Sequence, residues 1–335
     1  MQIDILNLKP TQVSTDPKSF SMLLYGLPKV GKTTFATTPK KTLLLGFEKG
    51  YSAIANIYAQ PINSWAEFVQ VCNQLKSLKR QEETAKRTGA DFEIPFEHIV
   101  IDTADIAWEY CEKYVLTREG VDKVGDISYG AGFSMIGNEY DDKISSIVKA
   151  GYGLTIISHA AVATDPDDPN HKYITCSLAK RPKLIITRLV DTYGYAEIVE
   201  TDDGIQRLLH TRATPEYEAG TRFADMPETI PFSYAAYEEA VKKAAASAAK
   251  RGGVEPVSAQ INNYADTTPS FDSVKESINE IITKLMDKDA DKYNETISNI
   301  VSNRLGEGRK LSKATEDNIE QLLLILSDLR EITVE

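Results

Sequence analysis

Eight consecutive residues, Gly26-Leu27-Pro28-Lys29-Val30-Gly31-Lys32-Thr33, have the GxxxxGK[ST] spacing of a phosphate-binding loop. Gly26 and Gly31 let the backbone turn so that successive N–H groups face inward as an anion nest. The positive end of the following helix dipole backs that nest. Lys32 would reach the β- and γ-phosphates of a nucleoside triphosphate, and the Thr33 hydroxyl would take one position on Mg²⁺. Thr34 carries the loop into the helix.

A triphosphatase also needs an acid to manage Mg²⁺ and another to orient water. Asp102 ends the apolar run His98-Ile99-Val100-Ile101, where a Walker B acid would hold Mg²⁺ through water; the alternative is an ordinary strand-end aspartate. Glu48 closes the apolar run after the loop's helix and precedes Lys49-Gly50, where the chain must turn. Ligands of open α/β sheets gather at such carboxyl ends, so Glu48 could face the γ-phosphate, though many strand-end glutamates only cap the next helix. His159 ends another apolar run. A lone histidine is usually structural, but here it could sense the γ-phosphate by hydrogen bonding and pass its presence to the loop that follows.

The elements that must position these groups are legible as patterns. Ser21-Met22-Leu23-Leu24-Tyr25 is short and apolar, as a buried strand would be, and Thr42–Phe47, His98–Asp102 and Leu154–His159 repeat that character. Between them Ser64 through Leu78 reads as a helix, with a Ser64/Glu67 capping box and Phe68, Val71, Cys72, Leu75 and Leu78 on one face. Alternating strands and helices imply an α/β fold with a mostly parallel sheet covered on both sides. Val190–Val199 and Ile205–Thr211 flank a Thr201-Asp202-Asp203-Gly204 turn and read as a terminal hairpin.

The domain boundaries expected are an N-terminal arm over 1–16, an ATPase core over 17–240, a flexible linker over 241–270 and a small helical bundle over 271–335. The linker rests on the polar, proline-containing stretch after Gly252-Gly253. Apolar stripes at Val274–Leu285, Tyr293–Val301 and Ile319–Leu329 suggest about three helices. With 14 acidic and 9 basic side chains, residues 271–335 suit a protein contact more than nucleic acid, or a solvated capping bundle.

At 335 residues and 42% hydrophobic content the chain has ample material for a core. A net charge of −11 excludes bulk attraction to nucleic acid but not a local basic groove. Cys72, Cys111 and Cys176 form no CxxC pair and read as reduced thiols. No membrane span and no signal peptide are apparent, so a cytoplasmic location is expected.

Walker A, Glu48, Asp102-Thr103 and Ile-Ser-His159 together resemble the RecA-type ATPase core. More narrowly, they resemble phage-encoded RecA-like ATPases of the AAA group that act in single-strand annealing or minimal recombination. The resemblance covers about residues 17–235. It implies ATP and Mg²⁺ as ligands, Glu48 as the catalytic base and His159 as the γ-phosphate sensor. It also implies two DNA-binding loops. Residues 126–133 would form the first, with Tyr129 and Phe133 as stacking faces. Residues 160–188 would form the second, with Lys180, Arg181 and Lys183 for phosphates. Arg222, and less so Arg212, lies where such proteins place cations that reach a neighbour's nucleotide. The function so implied is an ATPase that binds single-stranded DNA as an oligomer or filament and promotes annealing or recombination. Residues 271–335 would be available to a single-strand-binding or replication protein. A helicase or helicase-loading motor is the alternative use of the same core; a small-molecule kinase or a non-hydrolysing switch is a more distant one.

Overall fold

Ser21–Gly26 forms strand β1, buried along its whole length, and the sheet is arranged about it. The computed structural model describes residues 10–127, 130–202, 204–262, 271–306, 308–315 and 318–334. After β1 come helix α1 (Lys32–Thr37), β2 (Thr42–Gly46), β3 (Tyr58–Pro61), α2 (Trp65–Thr88), β4 (His98–Asp102) and α3 (Ala104–Glu119). Next are α4 (Gly132–Lys149), β5 (Gly153–Thr164), β6 (Lys172–Cys176), α5 (Lys180–Leu189), β7 (Thr192–Thr201) and β8 (Gly204–His210). The core closes with β9 (Gly220–Thr221), β10 (Thr229–Pro231) and α6 (Tyr234–Arg251).

The strand order is β10-β8-β7-β1-β5-β4-β2-β3, with β6 beside β5 and β9 beside β7. From β7 to β3 every neighbouring pair is parallel; β8 and β10 add antiparallel strands at one side. β5 therefore lies between the strand that feeds the glycine loop and the strand that ends in Asp102. This is an α/β P-loop fold built on a mostly parallel sheet. Register places Gly26 beside His159 on one side and Ala196 on the other, and sets Asp102 beside Gly46. The functional candidates thus gather at the carboxyl edge of the parallel strands, where such sheets bind ligands.

Alternation along β1 divides the core. Leu23 and Tyr25 point into a cluster with Ile99, Ile101 and Ile156, covered by Trp65 and Phe68 of α2 and by Ile136 and Tyr140 of α4. Met22 and Leu24 point the other way, against Phe35 of α1 and Val241, Ala244 and Ala245 of α6. Burial on both faces explains why β1, β2, β4 and β5 read as continuous apolar runs.

The expected linker over 241–270 is corrected by α6. Ala240, Val241, Ala244, Ala245 and Ala249 are buried, so the alanine-rich stretch is a packed helix through Arg251. Beyond it Val257 exchanges backbone hydrogen bonds with Val13 and Thr15, and the Gln260 amide donates to the carbonyls of Lys18 (2.6 Å) and Glu97 (3.1 Å). Residues 10–16 and 254–262 are therefore part of the core rather than arm and linker.

The helices from residue 271 onward form a second unit. α7 (Phe271–Leu305) is broken at Asp289 (φ −165°, ψ 93°) and is followed by α8 (Ile319–Val334). Its two halves and α8 make three helical segments around Val274, Ile278, Tyr293, Ile297, Leu322 and Leu326.

Candidate active site

The glycine loop has the backbone its sequence demands. A Cβ on Gly26 would stand 2.5 Å from the Ala196 carbonyl oxygen, so the tight pairing of β1 with β7 admits only glycine there. Gly31 has φ +110°, in the left-handed region that glycine reaches without steric cost. Leu27, Pro28 and Lys29 are exposed at the loop crest, Val30 is buried and Thr34 is exposed on α1. With only six residues, α1 adds little dipole, so the loop amides would carry most of the anion binding.

Lys32 is buried, and its ammonium donates to the carbonyls of Gly26 (2.8 Å) and Leu27 (3.0 Å). Burial lowers its pKa, opposed by the nearby carboxylates of Asp102, Glu48 and Asp105. The Thr33 hydroxyl donates to Oδ2 of Asp102 at 2.7 Å. Burial raises the Asp102 pKa; the Thr33 bond opposes this and the Glu48 charge adds to it. A hydroxyl and a carboxylate in contact beside a phosphate loop are oxygen donors of the kind Mg²⁺ takes. That ion usually pairs one or two carboxylates with substrate phosphates and waters. Thr33 and Asp102 are thus the residues that would hold it.

Glu48 lies two residues beyond β2. Its backbone N–H and that of Phe47 donate to the Asp102 carbonyl at 3.1 and 2.7 Å, which ties the end of β2 to the end of β4. Oε1 of Glu48 accepts a 2.6 Å hydrogen bond from the Thr103 hydroxyl and lies 3.4 Å from Nε2 of His159. Lys32, Thr33, Glu48, Asp102 and His159 are therefore brought to one edge of the sheet from four different segments of chain.

The expected nucleic-acid residues fare differently. Tyr129 lies outside the described residues. Phe133 is 64% exposed in the first turn of α4. Residues 160–188 are not a single loop: 160–164 pair with β6 as a hairpin, and Lys180, Arg181 and Lys183 stand on α5. Lys180 and Arg181 are exposed, and the Arg181 guanidinium lies over Gly137, where a Cβ would meet its Nε at 2.5 Å. Phe133 and Gly137 are i, i+4 on α4, so an exposed ring and a guanidinium share one helix face. Lys183 is committed elsewhere, with its ammonium 2.5 Å from Glu218 and 2.8 Å from the Thr175 hydroxyl.

Arg222 is not at the nucleotide edge. It pairs with Asp191 at 3.1 Å and also donates to the Arg188 carbonyl; Asp191 in turn accepts from the backbone N–H of Ser21, at the start of β1. Arg212 donates to the carbonyls of Phe223 and Ala224.

A family model described as an AAA domain, AAA_24, matches residues 18–223. The chain belongs to this AAA-domain family. The matched span holds the whole constellation from Gly26 to His159, and the protein is a P-loop ATPase. A relative from Bacillus subtilis (strain 168), the SPbeta prophage-derived uncharacterized protein YorG, is 27% identical over 348 residues, spanning 100% of both chains. Among solved structures, a KaiC-like protein from Pyrococcus horikoshii OT3 is 12% identical with a TM-score of 0.28, over 59% of this chain and 80% of that one.

Within the AAA domain, sequence reasoning missed Asp105 and Ser177, which the fold places at the site, and named Thr103 beside Asp102 without giving it a role. Thr103 bonds Glu48, Asp105 is a third carboxylate near Lys32, and Ser177 bonds Asp105. Thr103 and Asp105 follow Asp102 within one helical turn, which was the available signal. Ser177 had none, because only the antiparallel return of β6 along β5 brings it back beside His159.

Proposed function

We propose that this ATPase binds single-stranded DNA as an oligomer or filament and promotes annealing or recombination in a phage setting, in the host cytoplasm. The observation that carries the reading is the shared face of Phe133 and Arg181. Single-strand binders combine aromatic faces, which stack on any base, with cations that follow the phosphates. Lys180 extends the cationic side of that face. The full-length likeness to a prophage protein supports the phage setting. Self-association follows from the resemblance to RecA-like assemblies; for Arg222 to serve a neighbour it must leave Asp191. The acidic helical unit suits a single-strand-binding or replication protein.

The chemistry assigned to the site follows from its contacts. Lys32 exchanges the carbonyls of Gly26 and Leu27 for phosphate oxygens, so its charge neutralises the charge that develops on the transferred group. Mg²⁺, when bound, would withdraw charge from the phosphates, and Thr33 and Asp102 are the residues that would hold it. Glu48 accepts a proton from the attacking water, with its carboxylate aimed by Thr103. His159, beside the same carboxylate, reports the outermost phosphate to the β5–β6 hairpin.

The test is ATP turnover with and without single-stranded DNA over a salt series. Stimulation that weakens steadily as salt rises supports the reading, because phosphate contacts release counterions. Turnover indifferent to DNA at low salt rejects it.

A further inference from the structure

Ser177 stands where the nucleotide edge meets the cationic helix. Its backbone N–H donates to the His159 carbonyl at 2.8 Å. Its hydroxyl is 2.5 Å from Oδ1 of Asp105 and 3.3 Å from Oγ of Ser158. Three residues later the chain enters α5 with Lys180 and Arg181.

Asp105 lies in the first turn of α3, just past Asp102, and Lys32 feels its charge. Oδ2 of Asp105 and Nδ1 of His159 are both buried with no hydrogen-bond partner among the described residues. Buried polar atoms are nearly always paired in folded proteins, so both still have bonding capacity to engage when the site is loaded.

We propose that Ser177 is the positioning residue that couples the nucleotide site to α5, through its hydrogen bond to Asp105. The inference rests on the ATPase and DNA reading above and names the bond by which a loaded site sets the position of Lys180 and Arg181. A hydroxyl has one hydrogen to donate. Ser177 gives it to Asp105 on α3 while its oxygen stays within reach of the Ser158 hydroxyl, and release from Asp105 leaves it to turn to Ser158 on β5. The hydrogen on Asp105 and the hydrogen on Ser158 are two discrete arrangements, the kind of element that carries coupling between sites. The backbone bond to His159 is common to both and keeps Ser177 in place while the hydroxyl exchanges. A loaded site that draws the Asp105 carboxylate toward itself frees the hydroxyl for Ser158 and shifts the start of α5.

Amide hydrogen exchange on the full chain, with and without Mg²⁺ and a slowly hydrolysed ATP analogue, tests this directly. In the wild type, residues 26–33 become protected, and exchange over 177–187 changes at least about threefold. In Ser177→Ala the loop protection stays and the response over 177–187 disappears. Asp105→Ala loses that response too, whereas Asp105→Asn, which keeps an Oδ1 acceptor, retains it. A response over 177–187 that survives in Ser177→Ala overturns the proposal, as does a wild type whose loop is protected while 177–187 does not respond. Failure of the wild-type loop to gain protection overturns the ATPase reading as well. The DNA reading is scored separately, by titrating single-stranded DNA against the wild type.

Discussion

Thr103 at the end of β4 holds Glu48 beyond the end of β2 through a 2.6 Å hydrogen bond to Oε1. The bond crosses between two adjacent strands whose ends are already joined by the Phe47 and Glu48 amides on the Asp102 carbonyl. It fixes the carboxylate with one oxygen and leaves Oε2 to take a proton.

Thr103→Val keeps the shape and removes the donor. It should lower kcat for ATP roughly tenfold and leave KM within about a factor of two, the pattern for a group that orients the base without binding substrate. Thr103→Ser should restore most of the rate. Steady-state kinetics on the three proteins checks this; an unchanged kcat in the valine variant contradicts it.

Lys32 is held by two loop carbonyls in a buried position that lowers its pKa. Nucleotide binding gives that charge an anion. The wild type should therefore gain about 2.7 kcal/mol of stability at a Mg·ATP concentration a hundred times Kd. Lys32→Met should show no nucleotide-dependent rise in Tm. A thermal scan with and without Mg·ATP decides, and a full shift in the variant would refute the role of Lys32.

Asp102 can hold Mg²⁺ only when ionised, and burial raises its pKa above that of an ordinary aspartate. Protons should therefore compete with Mg²⁺ at a higher pH than they would for an exposed aspartate. The Mg²⁺ concentration needed for half-maximal nucleotide binding should rise as pH falls toward the raised pKa. Asp102→Asn should abolish that pH dependence and raise the Mg²⁺ concentration needed at every pH. Nucleotide titrations at several Mg²⁺ concentrations between pH 5 and 8 measure it.

His98 bears on stability rather than chemistry. Its ring is buried with Nε2 3.0 Å from the Thr155 hydroxyl. Burial first, and the charge of Lys18 second, lower its pKa to about 3 from the ordinary 6.5. Between those values the unfolded chain binds the extra proton and the folded chain does not. Stability from this group is complete above pH 6.5 and declines as pH falls below it, by up to ~1.4 kcal/mol per pH unit. Chemical denaturation at pH 7 and pH 5 should show a smaller loss in His98→Gln than in the wild type; equal losses would remove the assignment.

The legible parts of the fold were those where local pattern and tertiary burial agree. β1, β2 and β4 are apolar because both faces of the sheet are covered. The Thr201–Gly204 turn sits between β7 and β8 because hairpin chemistry is local. Glu48, Asp102 and His159 could be named because parallel strands share a carboxyl edge. Asp102 ends β4 and Glu48 follows β2 by two residues. His159 does not end its strand, since β5 runs on to Thr164 in the hairpin with β6, but it is the last residue of β5 paired with β1, so all three still reach that edge. The resemblance places Lys180-Arg181-Pro182-Lys183 in a DNA-binding loop. Yet proline is tolerated in a first helical turn, and Ile185, Ile186 and Leu189 give α5 its packed side. The alanines of α6 carry too little hydrophobicity to announce burial, although their small size is what lets the helix approach the sheet. Thr103 and Asp105 lie close to Asp102 in sequence, but their partners Glu48 and Ser177 are distant, so what they hold emerges only from topology.

Phosphate release from Mg·ATP by the wild type and by Glu48→Gln, each with and without single-stranded DNA, tests the central claim most directly. The wild type should turn over ATP, and faster with DNA. The glutamine variant should still bind nucleotide but lose at least about a hundredfold in rate, as expected when a positioned base is removed. A variant that releases phosphate at the wild-type rate would show that Glu48 is not the base and that this edge of the sheet has been misread.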